Sequence, residues 1–195
     1  PNLLAAGIIT DFIVALEANR KLFRAFENNP FLRFCPLVCT PEVDYETITS
    51  IYPGLVFLNP AIQHPVLKWF HSYWEDKGFI PGRGGSVSHM AFALAEFLGV
   101  NVIALMGQDL SFGEKLHAGE VTRLFYSDND VEEYRRKNPV VKDIFGEERY
   151  TTNQFLSFRT AFERLIRRFA GIVINTTEGG LSIEGARNMR LRNFL

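Results

Sequence analysis

Between Pro81 and Phe112 the chain reads P-G-R-G-G-S-V-S-H-M-A-F-A-L-A-E-F-L-G-V-N-V-I-A-L-M-G-Q-D-L-S-F: a glycine-rich turn, an amphipathic helix, a buried strand and a G-Q-D-L turn. Gly82, Gly84 and Gly85 permit positive φ angles and a close approach of backbone to a ligand. Ser86 falls where a helix N-cap belongs. It precedes Val87, Met90, Ala91, Leu94 and Leu98 at helical spacing, and Gly99 supplies the stop. The unpaired amides and positive dipole end of such a helix favour an anion of phosphate size. Arg83, Gly84, Gly85 and Ser86 are its candidate partners. The apolar run Val102-Ile103-Ala104-Leu105-Met106 then suits a strand covered on both faces. Gly107, Gln108 and Asp109 follow at its carboxyl end, where ligands gather in open α/β sheets. An anion site beside an acidic group points to nucleotide or nucleotide-sugar chemistry.

A second strand ends in a similar way. Ile172-Val173-Ile174 runs into N-T-T-E-G-G, residues 175–180. If the two strands are neighbours, Asp109 and Glu178 share a rim with the glycine turn. Two carboxylates beside a phosphate could hold Mg²⁺, orient a ribose, or serve as acid and base. Gly107, Gln108, Asn175, Thr176 and Gly179 join the candidate nucleotide- or phosphate-binding residues of these turns. His117, in E-K-L-H-A-G-E, could deprotonate a hydroxyl from a closing loop. His89, in the first turn of the helix, could touch the anion or pack beneath it. Arg123, Arg149 and Arg159 are further candidates for clamping a phosphate or carboxylate, because the guanidinium fork suits both.

The elements that must position these residues alternate between strand and helix. Ile8–Glu17 reads as a strand with its entry turn, Phe34–Cys39 as the next, and Leu55–Leu58 as a short buried one. Helical spacing covers 18–29, a short stretch from Tyr45 to Tyr52 after Pro41, the aromatic stretch 65–76, and Thr151–Phe169. In the last of these Phe155, Phe158, Phe162, Leu165 and Ile166 face inward. The rhythm breaks at about 112–150, which is polar, shows little strand character and reads as an irregular lid. The C-terminal R-N-M-R-L-R-N-F-L reads as an outgoing amphipathic helix. The fold expected is α/β: a Rossmann-like parallel sheet with helices on both faces, in a single domain over residues 1–195.

Composition narrows the class. The 195 residues are 47% hydrophobic and 22% charged, which suits a globular domain with a proper core. The formal net charge of −1 argues against a bulk electrostatic grip on nucleic acid. Most of the 18 Phe residues belong in the core. No apolar run is long enough to span a bilayer and no signal peptide is visible, so a cytoplasmic location is expected. Cys35 and Cys39 sit four apart on one strand, about 13 Å from each other, too far for a disulfide. Two buried, reduced thiols are expected.

At these residues the chain resembles the motility accessory factors, which share a domain with the MptE-like 6-hydroxymethylpterin diphosphokinases. The resemblance rests on the glycine-turn, helix, strand and G-Q-D-L run, on A-G-I-I-T-D-F-I-V-A-L-E (Ala6–Glu17), on K-L-H-A-G (Lys115–Gly119) and on I-N-T-T-E-G-G-L-S-I-E-G (Ile174–Gly185). Their order and spacing hold over nearly the whole chain. The resemblance implies a Rossmann-like domain related to bacterial sialyltransferases that use CMP-sugars. The family's strand and G-x-G-P-S-L nucleotide loop would precede the segment at which this chain opens, so a first strand and loop are expected to be missing. The resemblance adds weight to Gly85, Ser86, Gln108, Asp109, His117 and Glu178.

Three functions follow as expectations. In a glycosyltransferase, a nonulosonic acid would pass from a CMP-sugar to flagellin Ser/Thr, with His117 or Asp109 as base and no cofactor certain. In an ATP-dependent diphosphokinase acting on a pterin alcohol, Asp109 and Glu178 would hold Mg²⁺. A module without catalysis would bind a nucleotide or a partner such as flagellin.

Overall fold

The structure, a computed structural model, describes residues 3, 7–16, 30–40, 48, 52, 54–59, 84–112, 132–133 and 136–194. The helices expected over 18–29 and 65–76, most of the one expected from Tyr45 to Tyr52, and Arg83, His117 and Arg123 lie outside these residues. The chain divides into two compact units, one formed by residues 1–82 and 86–93, the other by 83–85 and 94–195. Both are α/β, built on parallel strands.

The first unit carries a three-stranded parallel sheet in the order β1 (Ile13–Ala15), β2 (Leu37–Cys39), β3 (Val56–Leu58). β2 is buried at all three positions, as its central place and its L-V-C sequence require. Register runs Ile13 to Leu37 and Leu37 to Val56. Leu32, Leu37, Cys39, Ile48 and Tyr52 form the core, with Ile13, Ala15 and Val56 packed on it. The expected strand from Phe34 is shorter, because Pro30–Phe34 forms a 3-10 turn ahead of it. The Tyr52 hydroxyl donates to the Cys35 carbonyl. Both cysteines are free and buried, and burial pushes the Cys39 thiol up to about 11.

The division between the units falls within helix α1 (Val87–Phe97). Its buried positions are His89, Met90, Phe92, Ala93 and Leu94, while Val87 and Leu98, expected on the apolar stripe, are exposed. The buried face is therefore shifted towards the middle of the helix. Gly99 does end it, with φ +79°.

The second unit holds the parallel sheet β4 (Val102–Leu105), β7 (Ile172–Asn175), β8 (Arg187–Asn188). β4 and β7 are adjacent and in register, from Val102 opposite Ile172 to Leu105 opposite Asn175. Helix α2 (Asn153–Arg168) leads into β7. Thr152 caps it in an extended conformation, its side chain accepting from the Phe155 N–H at 3.1 Å. Ala161, Phe162, Leu165 and Ile166 are buried, whereas Phe155 and Phe158 are only half-buried. Phe169 closes the helix by donating to the Leu165 and Ile166 carbonyls.

Three strands were not expected. In the segment that reads as having little strand character, β5 (Val140–Lys142) and β6 (Glu148–Tyr150) form an antiparallel hairpin. Phe112 extends it through a bridge to Tyr150, with their rings stacked at 5.9 Å. At the C-terminal end, where a helix was expected, Arg187–Asn188 pairs with β7 before the one-turn helix α3 (Leu191–Phe194).

Replacing Thr152 with Ala removes the acceptor for a helix-terminal amide. The expected cost is about 1 kcal/mol, or a fall in Tm of roughly 2–4 °C, measured by thermal denaturation; an unchanged Tm would show that the cap contributes nothing.

Candidate functional site

The in-register pairing of β4 and β7 brings the G-Q-D and N-T-T-E turns to one rim at the carboxyl ends of the strands. The turns are stitched together by hydrogen bonds. Thr176 donates both its N–H (2.8 Å) and its hydroxyl (2.9 Å) to the Leu105 carbonyl. The Thr177 hydroxyl accepts from the Gln108 N–H at 2.9 Å, and the Asp109 carbonyl accepts from Leu181 N–H at 2.8 Å. Thr176 is thus a buried strand-end tie. Gln108, half-buried, has its amide committed to Thr177. Sequence reasoning missed Thr177, although its neighbour was singled out.

Gly180 lets the second turn lie against the first. Its φ is +73°, and a Cβ there would fall 2.4 Å from the Asp109 carbonyl oxygen. Leu110 is held at φ 51°, a conformation that costs a bulky L-residue of the order of 1–3 kcal/mol. It is buried, and its carbonyl accepts from the Thr151 hydroxyl at 2.8 Å. Gly107 and Gly179 sit in these same turns, exposed and half-buried respectively.

Asn175 ends the central strand. It is 1% exposed, and its Oδ1 accepts from the Thr177 N–H at 3.0 Å, while its Nδ2 has no hydrogen-bond partner. Glu178 is exposed, and its Oε1 accepts from Leu191 N–H at 3.3 Å, tying the rim to the start of α3. Asp109 is exposed as a residue, yet its carboxyl group is shielded enough for desolvation to raise its pKa, against the opposing pull of Arg149. A raised carboxylate in such a position suits proton transfer.

The β5–β6 hairpin is attached to this rim. Ile144 N–H donates to the Gly180 carbonyl at 2.9 Å, and Phe112 and Tyr150 exchange backbone hydrogen bonds. Its loop turns on Asp143, whose Oδ1 accepts from Phe145 N–H (2.8 Å) and Glu147 N–H (3.0 Å). Asp143 Oδ2 accepts from Arg149 Nε at 3.1 Å. Burial would raise the Asp143 pKa, but the Phe145 amide, Arg149 and the Glu147 amide together hold it below its ordinary value. Sequence reasoning missed Asp143. The five residues with Gly146 between V-V-K and E-R-Y were the available hairpin signal.

The glycine turn has a different local order from that expected. Gly84 has φ 152°, but Gly85 has no positive φ, and a Cβ there would make ordinary contact with Phe158 at 3.5 Å. Ser86 and His89 form a reciprocal cap. His89 N–H donates to Ser86 Oγ at 3.4 Å, while Ser86 N–H donates to His89 Nδ1 at 3.2 Å. The Ser86 hydroxyl lies 2.7 Å from the same nitrogen. Because the Ser86 amide can only donate, Nδ1 is the acceptor and Nε2 carries the proton. His89, fully buried, therefore packs under the turn, and the Ser86 amide is directed to it. Arg159 pairs with Glu163 at 3.5 Å along α2.

The fold is thus α/β, and in the second unit the candidate functional groups collect where parallel strands end. A family model described as 6-hydroxymethylpterin diphosphokinase MptE-like matches residues 1–115, and the chain belongs to that family. Among solved structures the chain is similar, over 96% of its length, to the MAf glycosyltransferase from Magnetospirillum magneticum AMB-1, with a TM-score of 0.69 and 22% sequence identity. The match covers 28% of that glycosyltransferase, so the chain spans little more than a quarter of its length. At that identity the likeness is one of fold. No curated protein matches the chain.

Two measurements test this construction. Replacing Gly180 with Ala forces a methyl group onto the Asp109 backbone at a left-handed position, so a loss on the order of 1–3 kcal/mol is expected from φ alone, read by denaturant unfolding. Wild-type stability would mean that the two turns are not in contact. Replacing Asp143 with Asn tests the hairpin charge. A depressed folded pKa gives stability that is present above the unfolded value, near 3.8, and is lost as pH falls through the folded one. The Asn variant should be less stable at pH 7, and the gap should close as the solution is acidified below the ordinary Asp range. A gap independent of pH would refute the assignment.

Proposed function

We propose that this chain is the nucleotide-sugar-handling domain of a glycosyltransferase of the motility accessory factor type, transferring a nonulosonic acid from a CMP-sugar to flagellin Ser/Thr. The observation that carries this reading is the shared rim, where β4 and β7 end side by side with Asp109 and residues 175–178. The fold likeness to a MAf glycosyltransferase supports the class.

In this reading the phosphate of CMP takes the backbone amides around Gly84 and Gly85, with Arg83 as its charged partner. Gly107, Gln108, Asn175, Thr176 and Gly179 shape the remainder of the nucleotide site. The glycosidic C–O bond to phosphate breaks, and CMP leaves with the electron pair. The acceptor hydroxyl oxygen forms the new bond to the anomeric carbon. Its proton goes to Asp109 or to His117. The raised pKa of Asp109 suits that role.

The family description favours a second reading, diphosphate transfer from ATP to a pterin alcohol. Mg²⁺ would neutralise phosphate charge there, and Asp109 and Glu178 are its candidate ligands. The donor set fits this poorly. Arg149 places a positive charge near Asp109, and one Glu178 oxygen is tied to α3. Among the described residues no group of three or more His, Cys, Asp or Glu could hold a metal ion.

Thermal denaturation with CMP, CTP, ATP and GDP, each with and without Mg²⁺, separates the readings. A ligand at about 100 times its Kd adds roughly 2.7 kcal/mol. Stabilisation by CMP without metal is the expected outcome. Stabilisation by ATP only with Mg²⁺, abolished in Asp109→Asn, would replace it with the diphosphokinase. No shift with any nucleotide would remove both and leave a partner-binding module.

A further inference from the structure

The β5–β6 hairpin brings a prepared guanidinium to the rim. Arg149 stands on β6, one residue before Tyr150, whose backbone is laddered to Phe112 just beyond the G-Q-D-L-S turn. Ile144 of the same hairpin is bonded to Gly180, which lies against Asp109. These two attachments, one at the hairpin's loop and one at the end of β6, fix the hairpin to both turns of the rim. The Arg149 side chain is then oriented by Asp143, whose own side chain is inaccessible and held by two backbone amides. Only Nε is used in that pairing, at 3.1 Å. Among the described residues, no hydrogen bond engages either Nη nitrogen, and the side chain is 38% exposed. A guanidinium with one edge anchored and the other free is organised to take two oxygens of a planar or tetrahedral oxyanion.

The geometry points to Arg149 as the residue that recognises an oxyanion of the substrate, a phosphate or a carboxylate, at the strand-end rim beside Asp109. This rests on the rim being the ligand site proposed above, and it adds the chemical group that the site selects. The attraction of Arg149 felt at Asp109 has the same origin, since the guanidinium lies within electrostatic reach of that carboxylate. A bound oxyanion would meet a fixed positive fork on one side and, on the other, a carboxyl group that accepts a proton readily. Asp143 carries the positioning, because without its Oδ2 the long Arg149 side chain has no anchor.

Binding measured by titration calorimetry, with four probes, tests the assignment. CMP is compared with cytidine, which lacks the phosphate, and N-acetylneuraminic acid is compared with its methyl ester, which lacks the carboxylate. Arg149→Gln is expected to weaken the charged member of at least one pair by about tenfold or more and to leave its uncharged counterpart unaffected. Loss confined to CMP makes the oxyanion the nucleotide phosphate; loss confined to the sugar acid makes it the sugar carboxylate. Arg149→Lys, which keeps the charge without the fork, should fall between wild type and Arg149→Gln, and it carries the test if the Gln variant melts early.

Wild-type affinity of both charged probes in a folded Arg149 variant overturns the inference. So does the failure of both charged probes to bind the wild type. If CMP binds independently of Arg149 and the sugar acid does not depend on it either, the inference fails while the glycosyltransferase reading stands. If the sugar acid depends on Arg149 while no nucleotide binds, the inference stands and the glycosyltransferase reading fails.

Discussion

The Leu105 carbonyl organises the second unit. It lies at the end of β4, where the ladder to β7 stops, and Thr176 supplies it with two hydrogen bonds, one from backbone and one from side chain. A buried carbonyl left unpaired would cost more than either bond contributes, so the N-T-T turn is obliged to fold back over β4. Everything beyond depends on that step. Thr177 reaches Gln108, Leu181 reaches Asp109, and the chain between them passes close enough to Asp109 that only glycine is tolerated at 180. The rim is therefore a consequence of strand-end satisfaction, and its candidate functional groups are held by backbone.

The hairpin extends that logic outward. Three-residue strands such as β5 and β6 have little stability of their own. They persist because Phe112, Thr151 and Ile144 bond them to the rim, and because Asp143 closes their loop from inside. A carboxylate buried without partners would protonate. Here two amides and a guanidinium overcome the desolvation and keep it charged. The same guanidinium then acts on Asp109. One ion pair thus sets the loop geometry and the electrostatics of the rim together.

This explains what could be read in the sequence and what could not. β4 and β7 were legible as uninterrupted apolar runs, and α1 and α2 as helical stripes, the first with Gly99 as its stop. Matching strand ends suggested the G-Q-D and N-T-T-E turns as partners only on condition that β4 and β7 are neighbours, which the pairing of the two strands supplies. β5, β6 and β8 were not legible, since V-V-K, E-R-Y and R-N are too short and too polar to show alternation, and they are strands only because a rim or β7 offers them partners. His89 was read as either touching an anion or packing beneath it. Only coordinates show that its Nδ1 takes the Ser86 amide, because a capping box is normally signalled by Glu or Gln at that position, and here histidine does the work. Thr177 and Asp143 were missed for the same reason: each serves a backbone amide, and sequence patterns do not display which amides need an acceptor.

The sign of the charge at the rim bears on which chemistry it supports. A divalent cation is held through carboxylate oxygens, and a neighbouring positive charge opposes it. Asp109 has Arg149 within electrostatic range, and Glu178 spends one oxygen on the first turn of α3. In the proposed reading such an arrangement favours an anion over a cation, while burial opposes the ionisation of Asp109. Those are the needs of a transfer in which a phosphate departs and a hydroxyl gives up a proton, with positive charge supplied by the guanidinium. The strain at Leu110 is consistent with that use: a backbone held at φ 51° directly after Asp109 is tolerated because Thr151 and Gly180 leave the turn no other course. The fold is common to many chemistries, whereas this charge arrangement suits few of them.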